Sequence, residues 1–218
     1  MSVMITTGCA KEATTAPTTA TTPKLNTSIK IEATVSTWRE VVPYNIYGAI
    51  KEKLEEVGFE VVSQESTDYD AILLVDYKEE QGAEYIGFPG GGNGTDITCN
   101  LILKDKAGST LFEKKIFATT SSYVKEGDLY SSAIDNFEAK LYFKYLGEII
   151  ASKFGVGDEI SVLIRAFGDE EALVQLEALE ALIEIGEPAV EPLTQALNDA
   201  SEIVRTAAEV ALMTTQWH

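Results

Sequence analysis

An internal repeat in the last third of the chain constrains the fold more than any other feature. Shifting the sequence by 30 residues aligns residues 160–182 with residues 190–212. The matched pairs are Leu163/Leu193, Ala166/Ala196, Asp169/Asp199, Val174/Val204, Ala178/Ala208 and Leu182/Leu212. Small and aliphatic residues that recur at this period predict two helices in each repeat, stacked as in a helical solenoid.

The second copy of this repeat carries a family resemblance. Its sequence, IGEPAVEPLTQALNDASEIVRTAAEVAL over residues 185–212, resembles the short HEAT-type repeat of phycobilisome-lyase-like proteins. The match rests on two prolines, an aspartate, a Val-Arg pair and two alanines, namely Pro188, Pro192, Asp199, Val204, Arg205, Ala207 and Ala208. The resemblance implies a fold of paired helices whose alanines let neighbouring helices approach closely.

The same resemblance implies a structural role for three polar residues. Asp199 and Arg205 would help to form a polar ladder between repeats, and Asp169 matches in the first repeat. Gln175 stands there in place of the arginine, which weakens the ladder without threatening the fold.

The region before the repeats alternates between strand and helix patterns. The periodicity predicts a β-α-β-β-β-β order that ends in one long amphipathic helix over residues 129–154. The apolar run Ala71–Val75 predicts a strand buried on both faces, and Lys106–Gly108 predicts a hairpin turn. Because two repeats bury little surface by themselves, we expect them to dock on the long helix or to dimerise.

These patterns predict an α+β chain, with a mixed or antiparallel sheet and packed helices followed by a short all-α HEAT-like repeat. The segment GFEVVSQESTDYDAILLVDY looks like the small α+β domains of periplasmic and cell-surface lipoproteins, such as the amino-terminal domain of TolB. We predict three regions: a leader over 1–28, an α+β domain over 29–154 and two helical repeats over 155–218.

The leader contains a lone cysteine ahead of a Thr/Ala/Pro-rich stretch. The sequence ITTGCAKE around Cys9 resembles the lipobox of bacterial lipoproteins, in which the cysteine is lipidated. The following AKEATTAPTTATTPKLNTS is typical of a disordered tether. We therefore predict a truncated lipoprotein signal, lipidation at Cys9 and a place on the extracytoplasmic face of the cell envelope. A tail with an incidental thiol, on a cytoplasmic protein, is the alternative.

Catalytic and metal-binding patterns are weak. The single histidine is His218, so His-based triads and metal sites are not available in their ordinary form. Cys99 lies in an apolar strand with no basic neighbour to activate it. The glycines of residues 87–94 precede a strand and not a helix, which argues against a phosphate-binding loop. We predict no enzyme activity, no cofactor and no metal.

Charge narrows the choice of partner. The net charge of −18 would repel a nucleic-acid backbone, and Glu177, Glu180 and Glu184 form an acidic helix face that could meet a protein partner. The predicted function is therefore protein–protein interaction or scaffolding by a lipid-anchored protein, with a homodimer as one form of partnership. The alternative is a small-molecule or ion-binding module that uses the loop at residues 87–94.

Overall fold

The computed structural model describes residues 26–40, 43–84, 92–120 and 129–215, which form an α+β fold with a sheet first and helices after it. Its strands are β1 (Ser28–Thr37), β2 (Glu60–Val62), β3 (Ala71–Glu84), β4 (Asn93–Asp105) and β5 (Thr110–Thr119). Its helices are α1 (Ile46–Glu56), α2 (Leu129–Glu138), α3 (Leu141–Lys144), α4 (Leu146–Lys153), α5 (Glu159–Ala166), α6 (Ala172–Ile185), α7 (Glu187–Ala196) and α8 (Glu202–Thr215). The predicted fold class is confirmed.

The strands form one mixed sheet in the order β2-β1-β3-β4-β5. Strand β1 pairs in parallel with both β2 and β3, and α1 provides the crossover between β1 and β2. Strands β3, β4 and β5 pair antiparallel. The predicted hairpin is confirmed: Gly108 has a φ of +87° and donates its N–H to the Asp105 carbonyl at 2.9 Å.

Among the described residues, helices cover only one face of the sheet. Along β3, Ala71, Leu73 and Val75 are buried, whereas Ile72 and Leu74 between them are half-buried. The prediction that this run is buried on both faces is wrong, because alternate side chains of a strand point to opposite faces and no helix of the described ranges lies on the second face.

The helix predicted over residues 129–154 is broken into α2, α3 and α4. Lys140 has an extended backbone (φ −67°, ψ 136°), which ends the helical hydrogen bonding between α2 and α3. The predicted docking is found on the second half of this segment, where α3 contacts α6 and α4 contacts α5. Glu177 of α6 forms hydrogen bonds with the residues at this break.

Two hydrophobic clusters meet where the sheet joins the repeats. One lies between the sheet and helices α1, α2 and α4, and the other lies among α5, α6, α7 and α8. Tyr142 and Tyr145 pack against both clusters. The repeats are therefore packed onto the α+β domain. Within the described ranges, no helix has the length and apolar character needed to cross a bilayer.

Candidate protein interface

The Asp169 carboxylate links the first repeat to α3 and α4. Its side chain is only 5% exposed. It accepts hydrogen bonds from Lys144 Nζ at 2.9 Å, from the Tyr145 hydroxyl at 2.7 Å and from the Glu171 N–H at 2.9 Å. The sequence placed Asp169 in a ladder between repeats. The structure places it at the junction with the α+β domain, because α3 and α4 occupy the position where a preceding repeat would stack.

The electrostatics of this junction favour the ionised pair. Burial alone would raise the pKa of the Asp169 carboxyl, but hydrogen bonds from Lys144, the Glu171 N–H and Tyr145 hold that pKa below its usual 3.8. Burial would lower the pKa of Lys144, yet hydrogen bonds to Asp169 and Glu171 raise it to about 12. Both groups are therefore charged throughout the neutral range.

The Asp169→Asn variant is expected to be about 2 kcal/mol less stable than the wild type at pH 7, because the part-buried Lys144 loses its anionic partner. The folded-state pKa of Asp169 is lowered, so its stabilisation is complete above the unfolded-state value of 3.8 and is lost as pH falls through the folded-state value. The difference between the two proteins should therefore shrink below about pH 4, as measured by urea unfolding across a pH series.

Asp199→Asn is the matched control, because Asp199 occupies the equivalent position in the second repeat but is exposed. Its oxygen accepts the Ser201 N–H at 2.8 Å, which an asparagine oxygen can also do. We expect a change within about 0.5 kcal/mol. Equal losses at Asp169 and Asp199 would contradict the role given to the junction.

The loop between the two helices of each repeat has the same pattern of hydrogen bonds, made by residues that lie 30 positions apart in the sequence. The Arg205 guanidinium donates to the Asp199 carbonyl at 2.7 Å, and the Gln175 amide donates to the Asp169 carbonyl at 2.5 Å. Each aspartate also accepts the N–H of the residue two positions later. Arg205 therefore binds the backbone of its own repeat. Gln175 makes the same hydrogen bond to the aspartate carbonyl as the arginine that it replaces. The family resemblance alone did not predict this.

Glu177 forms hydrogen bonds with other residues of this chain. Its carboxylate accepts hydrogen bonds from Lys140 Nζ and from the Leu141 N–H, each at 2.8 Å. Leu141 is the first residue of α3, so Glu177 caps that helix from α6. The extended backbone at Lys140 leaves the Leu141 N–H outside the α2 hydrogen bonding, and Glu177 accepts it, which stabilises the break after α2. Glu177 is therefore paired within the chain, and its predicted contact with a partner stays a prediction.

The other two acidic residues of that face line a groove beside strand β5. Glu184 lies 3.8 Å from Lys114 Nζ, and Glu180 is exposed. The groove has a volume of about 210 Å³, and its other wall carries Lys115 and Phe117. The acidic residues of α6 thus face lysines of the edge strand, which partly neutralise them.

A different surface of the repeats is apolar and uncovered. We call it the α6–α8 face, and its large side chains are Leu173, Leu176, Ile203, Val210 and Met213, between 41% and 60% exposed. Sequence reasoning missed this face. The available signal was that Leu173 and Ile203 are equivalent in the two repeats and lie off the buried stripe formed by Ala178, Ala181, Ala208 and Ala211.

A buried carboxylate in the α+β domain was also missed. Glu79 is 2% exposed and accepts hydrogen bonds from the hydroxyls of Tyr77 at 3.0 Å, Tyr130 at 2.8 Å and Thr37 at 2.8 Å. The strand alternation contained the signal, because Glu79 continues the buried series Ala71, Leu73, Val75 and Tyr77. Burial and the bond to Glu79 raise the pKa of Tyr130 to about 12, so its hydroxyl remains a donor.

The described residues that could act as a nucleophile or as metal ligands have structural roles. Cys99 is fully buried, and burial followed by the Asp76 carboxylate raises the pKa of its thiol to about 12. It is therefore a protonated, buried side chain of β4. Across residues 26–40, 43–84, 92–120 and 129–215, no group of three His, Cys, Asp or Glu side chains is arranged to hold a metal.

Three predictions fall on other parts of the chain. Cys9, His218 and most of the glycine-rich loop at residues 87–94 lie outside the described residues. Lipidation and ligand binding by that loop therefore stay predictions.

Residues 144–213 match the family described as HEAT repeats. The match begins before the predicted boundary at residue 155 and includes α4. It does not extend to most of the α+β domain, whose resemblance to TolB-type domains stays a prediction. No curated protein matches the chain.

Several solved structures show a remote likeness. Protein XCC0632 from Xanthomonas campestris has 9% identity over 59% of this chain and 86% of its own, with a TM-score of 0.38. The hypothetical protein CT253 from Chlamydia trachomatis has 9% identity over 60% and 96%, with a TM-score of 0.36. A PelC dodecamer from Paraburkholderia phytofirmans has 16% identity over 57% and 88%, with a TM-score of 0.34. Likeness of this size carries no functional information, whereas the family match establishes that the C-terminal region carries HEAT-like repeats.

Proposed function

We propose that this chain is a non-enzymatic interaction or scaffolding protein that binds another protein through its HEAT-like repeats. The observation that carries the proposal is the exposed α6–α8 face on repeats that are held firmly elsewhere. Asp169 and Glu177 tie the repeats to α3 and α4, so the face is presented in a fixed orientation. A fixed, exposed apolar face is typical of a binding surface.

The proposal includes a location. A lipid on Cys9 and a Thr/Ala/Pro-rich tether would hold the folded part away from a membrane on the extracytoplasmic side. A single lipid chain anchors weakly, so two or more chains on the cysteine would be needed for stable attachment.

One experiment in cells that naturally make the protein tests both parts. A photo-crosslinking amino acid is placed in turn at exposed positions around the full chain, including Thr206 on α8 and Lys106 in the β4–β5 turn. We expect a discrete crosslinked protein from a subset of positions, recovered in the membrane fraction, and release of the protein from that fraction by Cys9→Ala. Crosslinks at no position would refute the interaction function. An unchanged distribution for Cys9→Ala would refute the anchor alone.

A further inference from the structure

The exposed apolar side chains of the α6–α8 face lie on two helices that pack side by side. Ile203, Val210 and Met213 are seven and three residues apart, which places them on one side of α8. Leu173 is the repeat equivalent of Ile203, and α6 packs beside α8. The ends of the stripe on α8 are ten residues apart in the sequence, or about 15 Å along the helix. That length matches about three turns of a second helix.

The concentration of apolar side chains on this face is unusual for the chain. Ten large hydrophobic side chains are exposed among the described residues, and five of them belong to this face. Single exposed hydrophobic residues are ordinary, but a row of them on packed helices marks an interaction site. An apolar stripe of this length is suited to the apolar side of an amphipathic helix.

The surroundings of the face are acidic. Glu180 and Glu184 are exposed on α6, and Glu202 and Glu209 are exposed on α8. The only basic residue of the two helices is Arg205, whose guanidinium donates to backbone carbonyls of its own loop. Residues 155–218 contain 13 acidic residues against Arg165 and Arg205, a net charge of −11. Lys114 partly neutralises Glu184, but Glu202 and Glu209 have no basic side chain on α8 other than Arg205, so the potential along the α8 part of the stripe is negative.

This charge decides between occupants. A second copy of the chain would bring the same acidic helices against each other, and nucleic acid or an anionic lipid surface would also be repelled. A positively charged partner would be attracted, and its charges would lie opposite glutamates at the rim of the apolar contact.

We propose that the α6–α8 face binds an amphipathic helix of another protein, with apolar residues at helical spacing and Lys or Arg on either side of them. The apolar residues cover Leu173, Ile203 and Val210, and the basic residues meet the surrounding glutamates. This inference rests on the proposed function and specifies the chemistry of the partner.

Synthetic peptides test it directly against the full chain. The probe is a fluorescein-labelled helix of about 15 residues with Leu at helical spacing and Lys elsewhere. Two comparison peptides have Glu in place of Lys, or the same Leu and Lys in scrambled order. Fluorescence anisotropy should show binding of the basic amphipathic peptide alone, and its affinity should fall as salt rises from 50 to 300 mM because exposed charges are screened.

Val210→Ser should weaken binding of this peptide by about tenfold, because it removes a central apolar contact. Val156→Ser is the matched control: Val156 lies on the α4–α5 loop and is 43% exposed, against 44% for Val210. Its affinity should match the wild type. Thermal unfolding checks that both variants stay folded, since exposed substitutions change stability little.

Three results would overturn the inference. These are equal binding of the scrambled or acidic peptide, an unchanged affinity in Val210→Ser, and concentration-dependent self-association that Val210→Ser abolishes, since the occupant would then be a second copy. The crosslinking scan separates this failure from that of the proposed function. A partner captured at other positions but not at Thr206 would leave the interaction function intact and refute the assignment of this face.

Discussion

Replacing Glu79 with alanine is expected to lower the free energy of unfolding by about 3 kcal/mol. The change leaves the hydroxyls of Tyr77, Tyr130 and Thr37 without the carboxylate that they contact at 2.8 to 3.0 Å. It also removes the acceptor of the Tyr44 N–H, at 3.4 Å. These donors belong to β1, the segment before α1, β3 and α2, so one carboxylate ties four parts of the domain together. Urea unfolding measures the loss.

Glu80→Ala is the control on the same strand. Glu80 points to the open face of the sheet, and its exposed side chain pairs with Lys78 at 2.7 Å. Exposed ion pairs contribute little, so this variant should change stability by less than about 1 kcal/mol. Glu79→Gln should fall between the two, because the amide keeps one acceptor oxygen. A Glu79→Ala midpoint equal to that of Glu80→Ala would show that the buried carboxylate does not hold the four elements together.

Gly147→Ala is expected to lower the free energy of unfolding by about 3 kcal/mol. The cause is overpacking and not the loss of a contact. A Cβ at Gly147 in α4 would lie 2.2 Å from the Lys53 carbonyl oxygen of α1 and 3.2 Å from Val57 Cγ1. Because the obstacle is backbone, it cannot rotate away, and α4 must move from α1. Helix α4 also contacts α5, so the displacement should loosen the docking of the repeats. Thermal unfolding of the purified variant measures the effect.

Gly168→Ala provides the comparison, because this glycine follows α5 in the repeats. A Cβ there would lie 3.4 Å from the Arg165 carbonyl oxygen and 3.5 Å from Val204 Cγ2, which are ordinary contacts. We expect a change within about 1 kcal/mol. If both glycine variants were equally stable, the close approach of α4 to α1 would not be a constraint on the fold.

The break in the helix predicted over residues 129–154 could not be inferred from the sequence. The apolar spacing over residues 129–154 predicts one helix, and its buried side chains, such as Phe137 and Ile149, do keep that period. The break at Lys140 is stabilised by Glu177, which is 37 residues away in the sequence and caps α3 from α6. Local periodicity contains no information about a cap supplied from a distant helix, so the break was not predictable.

The pairing of the acidic residues on α6 could not be predicted from the sequence either. The acidic residues of α6 could be read from the sequence, but whether each carboxylate was free could not. Glu177 is bound to Lys140 and Leu141, whereas Glu180 is exposed, although both lie on one helix. Pairing depends on which lysines the tertiary fold brings near, and a pattern of charges along one segment does not specify that.

The sequence by itself determined the β-α-β-β-β-β order of the first domain, the α+β class and the two-helix repeat with its period of 30 residues. These features follow from local periodicity and turn residues, which act over a few neighbouring positions. Only the tertiary structure decided that Asp169 and Glu177 join the repeats to the sheet domain, that Glu79 is a buried acceptor and that the α6–α8 face is left open. Those outcomes depend on contacts between distant segments, because burial and pairing are properties of the packed chain.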